Sequence, residues 1–200
     1  MSLPPTLPAP GTLTSARGAI PFGPAHPTLL VNDQIGYAYQ RPEVLAELQQ
    51  GRCDSLVALA KAGQAIGIEV VNVQLMEPSL DELALVPKVV RALYEATGCA
   101  IAVDSRHPEV VEAALSAYPH KALCNSVNGE YSVLDTMLPI IARHGAAVGT
   151  ALVYEKGVPR TVEERLYVAR RIVEAAQAHG IPREDVIIDA VCLPSSVEPD

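Results

Sequence analysis

The sequence predicts an α/β fold built on a parallel sheet, and three observations predict it. From residue 28 onward, short apolar, β-branched runs alternate strictly with amphipathic runs, and no hairpin signal separates consecutive strands. The strand segments are nearly all apolar rather than alternating, as a sheet covered on both faces requires. A polar residue stands at or just after the carboxyl end of each strand. Two architectures satisfy this pattern, a doubly wound open sheet and a closed β/α barrel.

Residues 1–27 read as a Pro-rich N-terminal arm, because prolines at 4, 5, 8, 10, 21, 24 and 27 remove backbone donors and forbid helix. Residues 28–200 form the domain. The first strand is Thr28–Ile35, and a helix over Asp54–Ile66 carries Leu56, Leu59, Ala60 and Gly63 on one stripe. The second strand is Ile68–Leu75. The helix Leu80–Thr97 carries Leu83, Val86, Val90, Leu93 and Tyr94, and Gly98 is its stop signal. The third strand, Cys99–Asp104, leads to a helix over Pro108–Ala117 with proline in its first turn. The fourth strand is Lys121–Asn125, followed by a helix over Tyr131–His144 closed by Gly145. The fifth strand is Ala146–Tyr154. A helix over Thr161–His179 starts with capping-box spacing, Thr161-x-x-Glu164, and is closed by Gly180. The sixth strand is Asp185–Cys192.

The chain has 200 residues, 49% hydrophobic and 19% charged, enough for one domain with a real core. No apolar run reaches the roughly 20 residues that span a bilayer, so no membrane is expected as a partner. The N-terminus lacks a charged start followed by an apolar stretch, so a cytoplasmic protein is expected. A formal net charge of −8 repels phosphate backbones, which argues against nucleic acid as a partner. The four cysteines, Cys53, Cys99, Cys124 and Cys192, are far apart and form no C-x-x-C pair, so buried reduced thiols are expected.

The strand ends carry Asn32 and Asp33, Asn72 and Gln74, Asp104 and Ser105, Asn125 and Ser126, Glu155 and Lys156, and Asp189. Any one of these could cap a helix or shape a turn. Together they mark the face on which parallel α/β proteins bind ligands. The set is rich in carboxylate and amide and poor in His and Cys, so no bound metal is expected. No Gly-rich phosphate loop follows the first strand, and no G-x-S-x-G is present. Carboxylates and amides suit a flat heterocycle with N–H donors. A 2-amino-4-oxo pyrimidine edge presents an N–H and an NH₂ that one carboxylate can accept together.

Several segments resemble the pterin-binding enzymes. They are Ala102-Val-Asp-Ser-Arg106 with Pro108-Glu-Val-Val-Glu-Ala-Ala114, and Leu123-Cys-Asn-Ser-Val-Asn-Gly-Glu130. Tyr154-Glu-Lys-Gly-Val-Pro159, Glu163-Glu-Arg165 and Gly180-Ile-Pro-Arg-Glu-Asp-Val-Ile-Ile-Asp189 complete the series. The likeness runs from about residue 28 to 194 and is strongest to the methyltetrahydrofolate–corrinoid methyltransferases, with dihydropteroate synthase a more distant relative. The resemblance implies a parallel TIM-type (β/α) barrel, of which about six of eight β/α units lie within this sequence.

It also implies that Asp104, Asn125 and Asp189 hold the pterin ring, Asp189 taking the amino-pyrimidine edge. Asn72, Gln74 and Ser126 complete the expected binding set, with no catalytic residue assigned. The implied substrate is methyltetrahydrofolate, and the implied acceptor is the Co(I) of a cobalamin or other corrinoid carried by a partner protein or domain. N5 of the folate is a poor leaving group until it gains a proton or a strong hydrogen bond.

The sequence departs from the family pattern in three places. Where the family has Asp-x-Asn at the end of its second strand, this chain has Asn72 and Gln74, and a charge is missing. The first strand reads Val31-Asn-Asp-Gln-Ile35, which is not the family's wording. With Asp200 close behind the sixth strand, the last two units are expected to be absent, and with them a further Asn that approaches N5. Six strands leave two open edges, so self-association, or a partner supplying the missing units, is expected. A folate-binding module without turnover, or a dihydropteroate synthase-like enzyme, is the alternative. Asn32-Asp-Gln-Ile-Gly-Tyr37 stands where the synthases have Asn-x-Thr-x-Asp-Ser-Phe, which weighs against the latter.

Overall fold

In the computed structural model, which describes residues 8–36 and 38–192, an antiparallel hairpin precedes six parallel strands that form one curled sheet in strict sequential order. The hairpin is β1 (Gly11–Ser15) and β2 (Gly18–Phe22). The parallel strands are β3 (Val31–Asn32), β4 (Val70–Val73), β5 (Ala100–Asp104), β6 (Leu123–Asn128), β7 (Ala147–Ala151) and β8 (Val186–Asp189). Sequential order, with a helix between successive strands, makes a barrel wall rather than a doubly wound sheet, whose order reverses at its centre. Among the described residues β3 and β8 are the edges of that wall.

The outer face carries α1 (Pro42–Gln49), α2 (Asp54–Ala65), α3 (Glu82–Thr97), α4 (Pro108–Ala117), α5 (Tyr131–Arg143) and α6 (Val162–Ala178). Among the described residues no helix is long and apolar enough to cross a membrane. Every expected strand and helix is present, with some ends shifted by a few residues; β6 runs on to Asn128 instead of stopping at Asn125. Thr161 and Glu164 close the capping box expected for α6. Gly98 ends α3 in the left-handed conformation, at φ 63°, where a side chain would be strained. Two elements depart from the sequence reading. The stretch expected to be an extended arm contains the β1–β2 hairpin. Helix α1 is additional to the expected elements, although Pro42 at its start and the spacing of Val44 and Leu48 mark it.

The inward and outward sides of the wall differ in chemistry. Outward residues such as Val71, Val73, Ile101, Val103 and Val148 pack against the helices in the larger apolar cluster. The buried stripe of α3 is Leu85, Val86, Val89, Val90 and Leu93, whereas Leu83 is exposed. The expected stripe is thus rotated slightly from the observed one. Inward residues are small at many positions: Ala100 and Ala102 on β5, Ala147, Gly149 and Ala151 on β7. Leu13, Ile20 and Phe22 of the hairpin fill the amino-terminal end of this space, against Val70, Ala100, Ala102, Leu123 and Ala147. The hairpin therefore serves as a plug, and the space toward the carboxyl ends is left open.

Polar contacts fasten the plug. Thr14 donates its N–H to the Lys121 carbonyl (3.1 Å), and Lys121 returns its own N–H to Thr14 Oγ1 (2.7 Å). The Tyr118 hydroxyl donates to the Thr14 carbonyl at 2.7 Å. Gly11 lies so close to the Glu184 backbone that a Cβ there would sit 2.2 Å from the Glu184 carbonyl oxygen.

A buried carboxylate stitches α1 to α2. Glu47 accepts the Ser55 N–H at 2.9 Å and the Ser55 hydroxyl at 2.6 Å, and so caps α2 from outside the helix. Burial pushes its pKa up, but the two Ser55 hydrogen bonds and the nearby Arg52 outweigh that and leave it below the ordinary glutamate value. A lowered folded-state pKa contributes stability that is present above the ordinary value and lost as pH falls through the lower one. Glu47→Gln is therefore expected to lower the melting temperature at neutral pH and to flatten the acid limb of the stability curve. An unchanged acid limb in a pH series of thermal melts would count against this role.

Candidate functional site

A cleft of about 980 Å³ occupies the inside of the barrel wall. Its amino-terminal half is mostly apolar, lined by Phe22, Leu29, Leu123 and Ile187, with Arg183 and Glu184 before β8 also in the lining. At the carboxyl ends of the strands the lining turns polar, with Asp33, Asn72, Asp104 and Asn125. The alternation of each strand explains which polar residues arrive there. Val31 and Asp33 face inward from β3, whereas Asn32 between them turns toward α2. On β4, Val70 and Asn72 face inward, as do Ala102 and Asp104 on β5. Leu123 and Asn125 do so on β6.

The register of β6 against β7 shifts between Cys124 and Val127, so a bulge lies at Asn125 and Ser126. Bulges bend a strand and re-aim its side chains. Gly149 on β7 gives Asn125 its room, since a Cβ at that position would lie 2.2 Å from Asn125 Oδ1. Asn125 donates from Nδ2 to Asn72 Oδ1 at 3.4 Å, and Asn72 donates from Nδ2 to Asp33 Oδ1 at 2.7 Å. Behind the site the Cys124 thiol is fully buried, and burial pushes its pKa up to about 12, so it stays neutral.

Of the residues expected from the sequence, Asp104, Asn125 and Asn72 meet in this cleft. Asp189 continues the inward alternation of Ile187 but is exposed at the end of β8, opposite Ala151. Its Oδ1 accepts the Val191 N–H at 2.7 Å. Val191 has φ 55°, a strained conformation for a β-branched residue, and the Asp189 carboxylate braces that turn. Gln74 is buried beside Gly36 and is not among the cleft-lining residues. Ser126 has its backbone in β6, and its side chain lies outside what the structure describes.

Other strand-end residues have structural partners. Asn32 donates to the Leu59 carbonyl of α2 (3.3 Å) and accepts the Gln34 N–H (3.1 Å). Ser105 donates to Glu82 and accepts the His107 N–H at the start of α4. Glu155, exposed beyond β7, is not among the cleft-lining residues; Arg171 donates to it at 2.9 Å and holds its carboxyl down at about 2. That guanidinium also stacks on the Tyr131 ring, 4.0 Å from its centroid. The cysteines are all free, but only Cys99 and Cys124 are buried. Cys53 is half-buried and Cys192 exposed, because Cys192 falls after β8 has ended.

Sequence reasoning assigns Asp33 no role and does not single out Gly149. Both carry signals. Asp33 is two residues from Val31 and so shares its face. A glycine in the interior of an apolar strand, Ala147-Val-Gly-Thr-Ala151, marks a close approach of another group. The charge missing from the second strand stands instead on Asp33, in contact with Asn72.

Comparison with known proteins gives this cleft a family context. The sequence model of a family described as pterin binding enzyme matches residues 43–199. The chain is 29% identical over 147 residues to a methylcorrinoid:tetrahydrofolate methyltransferase of Eubacterium limosum, covering 72% of this chain and 53% of that protein. It is 26% identical over 191 residues to a methionine synthase of Mycobacterium leprae, covering 91% of this chain and 15% of that one. Among solved structures, a dihydropteroate synthase of Burkholderia cenocepacia superposes with a TM-score of 0.64 at 20% identity, over 92% of this chain and 62% of the synthase. That likeness is one of fold. The chain spans about half the length of the methyltransferase it matches.

Proposed function

The chain belongs to the pterin-binding enzyme family, and we propose that its cleft binds a reduced folate, methyltetrahydrofolate, as the methyl donor to a corrinoid. The observation that carries this reading is the set of acceptor-bearing side chains, Asp33, Asn72, Asp104 and Asn125, gathered at the carboxyl end of a largely apolar cleft whose other charged lining residues, Arg183 and Glu184, lie before β8. A flat, apolar-faced ring with an edge of N–H donors is complementary to such a lining. Two carboxylates and two amides suit the amino-pyrimidine edge of a pterin better than a phosphate or a sugar. Small inward residues on β5 and β7 leave the thickness that the ring needs.

In this reading Asp104 and Asn125 hold the ring and Asp189 closes on its amino-pyrimidine edge, with Asn72 beside them; Gln74, packed beside Gly36 outside the cleft lining, takes no part. Asp189 would exchange its contact with the Val191 N–H, or share it, when the ligand arrives. The ring would lie across the carboxyl ends of the strands with its methyl-bearing nitrogen toward the open side. A corrinoid protein or domain would then approach from that side. The methyltransferase and methionine synthase relatives favour this chemistry over pteroate synthesis.

Calorimetric titration with methyltetrahydrofolate tests the reading. Micromolar binding is expected, and Asp189→Asn should weaken it by about 10-fold to 100-fold, the loss of one charge-assisted hydrogen bond. Methyl transfer to reduced cobalamin is the next assay. Binding without transfer would assign a folate-binding module, and turnover of a pterin pyrophosphate with an aminobenzoate would assign a synthase. A folded chain that binds no folate would sink the proposal.

A further inference from the structure

We infer that Asp33 is a positioning residue, which fixes the donor–acceptor polarity of the Asn72 and Asn125 amides and so decides which atom of Asn125 a ligand meets. The inference deepens the pterin reading and rests on it for the choice of ligand. A deprotonated carboxylate only accepts hydrogen bonds, so the Asn72 amide can face it only with its NH₂ group. Asn72 Nδ2 does so, 2.7 Å from Asp33 Oδ1. The amide is planar, so Asn72 Oδ1 is turned the other way, and there it accepts from Asn125 Nδ2 at 3.4 Å. Asn125 in turn carries its Oδ1 on the remaining side, over Gly149.

An isolated asparagine can turn its amide half a revolution and exchange donor for acceptor, because the two ends are nearly alike in size. Here each amide is held by its neighbour, and the series ends on a group that cannot reverse. The geometry of the wall makes the series possible. Asn72 on β4 and Asn125 on β6 flank β5, where Ala102 pairs with Asn72. A methyl group at that inward position leaves the span between the two amides open. Besides lining the cleft itself, Asp33 thus acts on the ligand through Asn72 and Asn125, across strands β3, β4 and β6.

Two variants and two readouts test this. Asp33→Asn keeps the shape but removes the fixed end, so both amides can reverse. Methyltetrahydrofolate affinity should fall about tenfold, and the side-chain amide resonances of Asn125 in ¹⁵N-edited NMR spectra should shift. The swapped chain, Asp33→Asn with Asn72→Asp, places a carboxylate at position 72. There it accepts both from the amide introduced at position 33 and from Asn125. The swap restores the polarity at Asn125, and so should keep its NH₂ group turned toward residue 72, read as nuclear Overhauser contacts between the Asn125 side-chain amide protons and the residue-72 side chain. Position 72 itself lines the cleft, so the swap is read by these contacts and not by affinity.

Unchanged Asn125 resonances in Asp33→Asn would overturn the inference, even if the wild-type chain binds no folate and the pterin reading has failed on its own. Wild-type affinity in that variant would overturn it while leaving the pterin reading intact. If Asp33→Asn does not fold, the swapped chain decides alone: Asn125 NH₂ protons in contact with residue 72 support the relay, and NH₂ protons in contact with Gly149 instead reject it.

Discussion

Replacing Asp185 with alanine is expected to destabilise the fold by about 3 kcal/mol or more, a larger loss than any other single change considered should cause. Asp185 lies just before β8, with its side chain 4% exposed, and its Oδ2 accepts from the Lys121 ammonium. Its Oδ1 accepts the Thr12 N–H of the plug at 3.2 Å. Removing the carboxylate leaves Lys121 without its counter-ion and a plug amide without its acceptor. The Lys121 side chain is 26% exposed and can reach some water, which places the effect at the lower end of the usual range for a broken buried pair. Urea unfolding monitored by circular dichroism measures it. The double variant with Lys121→Met should lose less than the two singles added, because the pair is coupled. Strict additivity would show that the two groups do not act as a pair.

The location of that ion pair explains why so much depends on it. Lys121 precedes β6 and Asp185 precedes β8, so the pair joins two strands at the amino-terminal end while also gripping β1. The hairpin supplies Leu13, Ile20 and Phe22, large side chains in a space lined by alanines. Without the plug, the inner faces of β4 to β7 would be exposed to water at one end and unsupported at the other. Stability and ligand binding are thereby separated along the barrel axis, with apolar burial and the ion pair at the amino-terminal end and the acceptor-rich cleft at the carboxyl end.

The alternation of strands and helices was legible because parallel strands covered on both faces are apolar throughout, and because Gly98, Gly145 and the Thr161 capping box mark helix ends locally. The hairpin was not, because Pro21 and the prolines around it read as a bar to regular structure. Strand pairing at an edge tolerates proline, and Gly18 at φ 119° supplies the turn. At the site, Asp104 and Asn125 were legible from position on their strands. What one dimension hid was the facing of each polar residue. Asn32 and Asp33 look alike in sequence, yet alternation sends one to the helix layer and the other to the cleft. Glu155 had the right position but is claimed by Arg171, which arrives from α6 and belongs to no strand-end pattern. Contacts between elements decide such cases, and they carry no local signal.

Gly149→Ala should cost folate binding most heavily. Alanine suits an extended strand better than glycine does, but the clash at this position outweighs that gain and lowers stability. The new methyl would sit 2.2 Å from Asn125 Oδ1, a separation that real Cβ atoms do not tolerate. The Asn125 amide must swing away from its place over β7, breaking its bond to Asn72 and entering the space reserved for a ring. Crowding of this kind costs about 1–3 kcal/mol, and each lost neutral hydrogen bond about 1 kcal/mol. Those costs fall first on the folded chain and should lower its melting temperature, and a ring that must displace the swung amide should bind about 100-fold more weakly. Asn125→Ala removes the same group by the opposite route, emptying the space instead of filling it, and should weaken binding by a smaller factor. If Gly149→Ala lowers the melting temperature yet binds methyltetrahydrofolate as the unmodified chain does, then the ligand does not meet Asn125 and the cleft between β5 and β7 is not where the pterin lies.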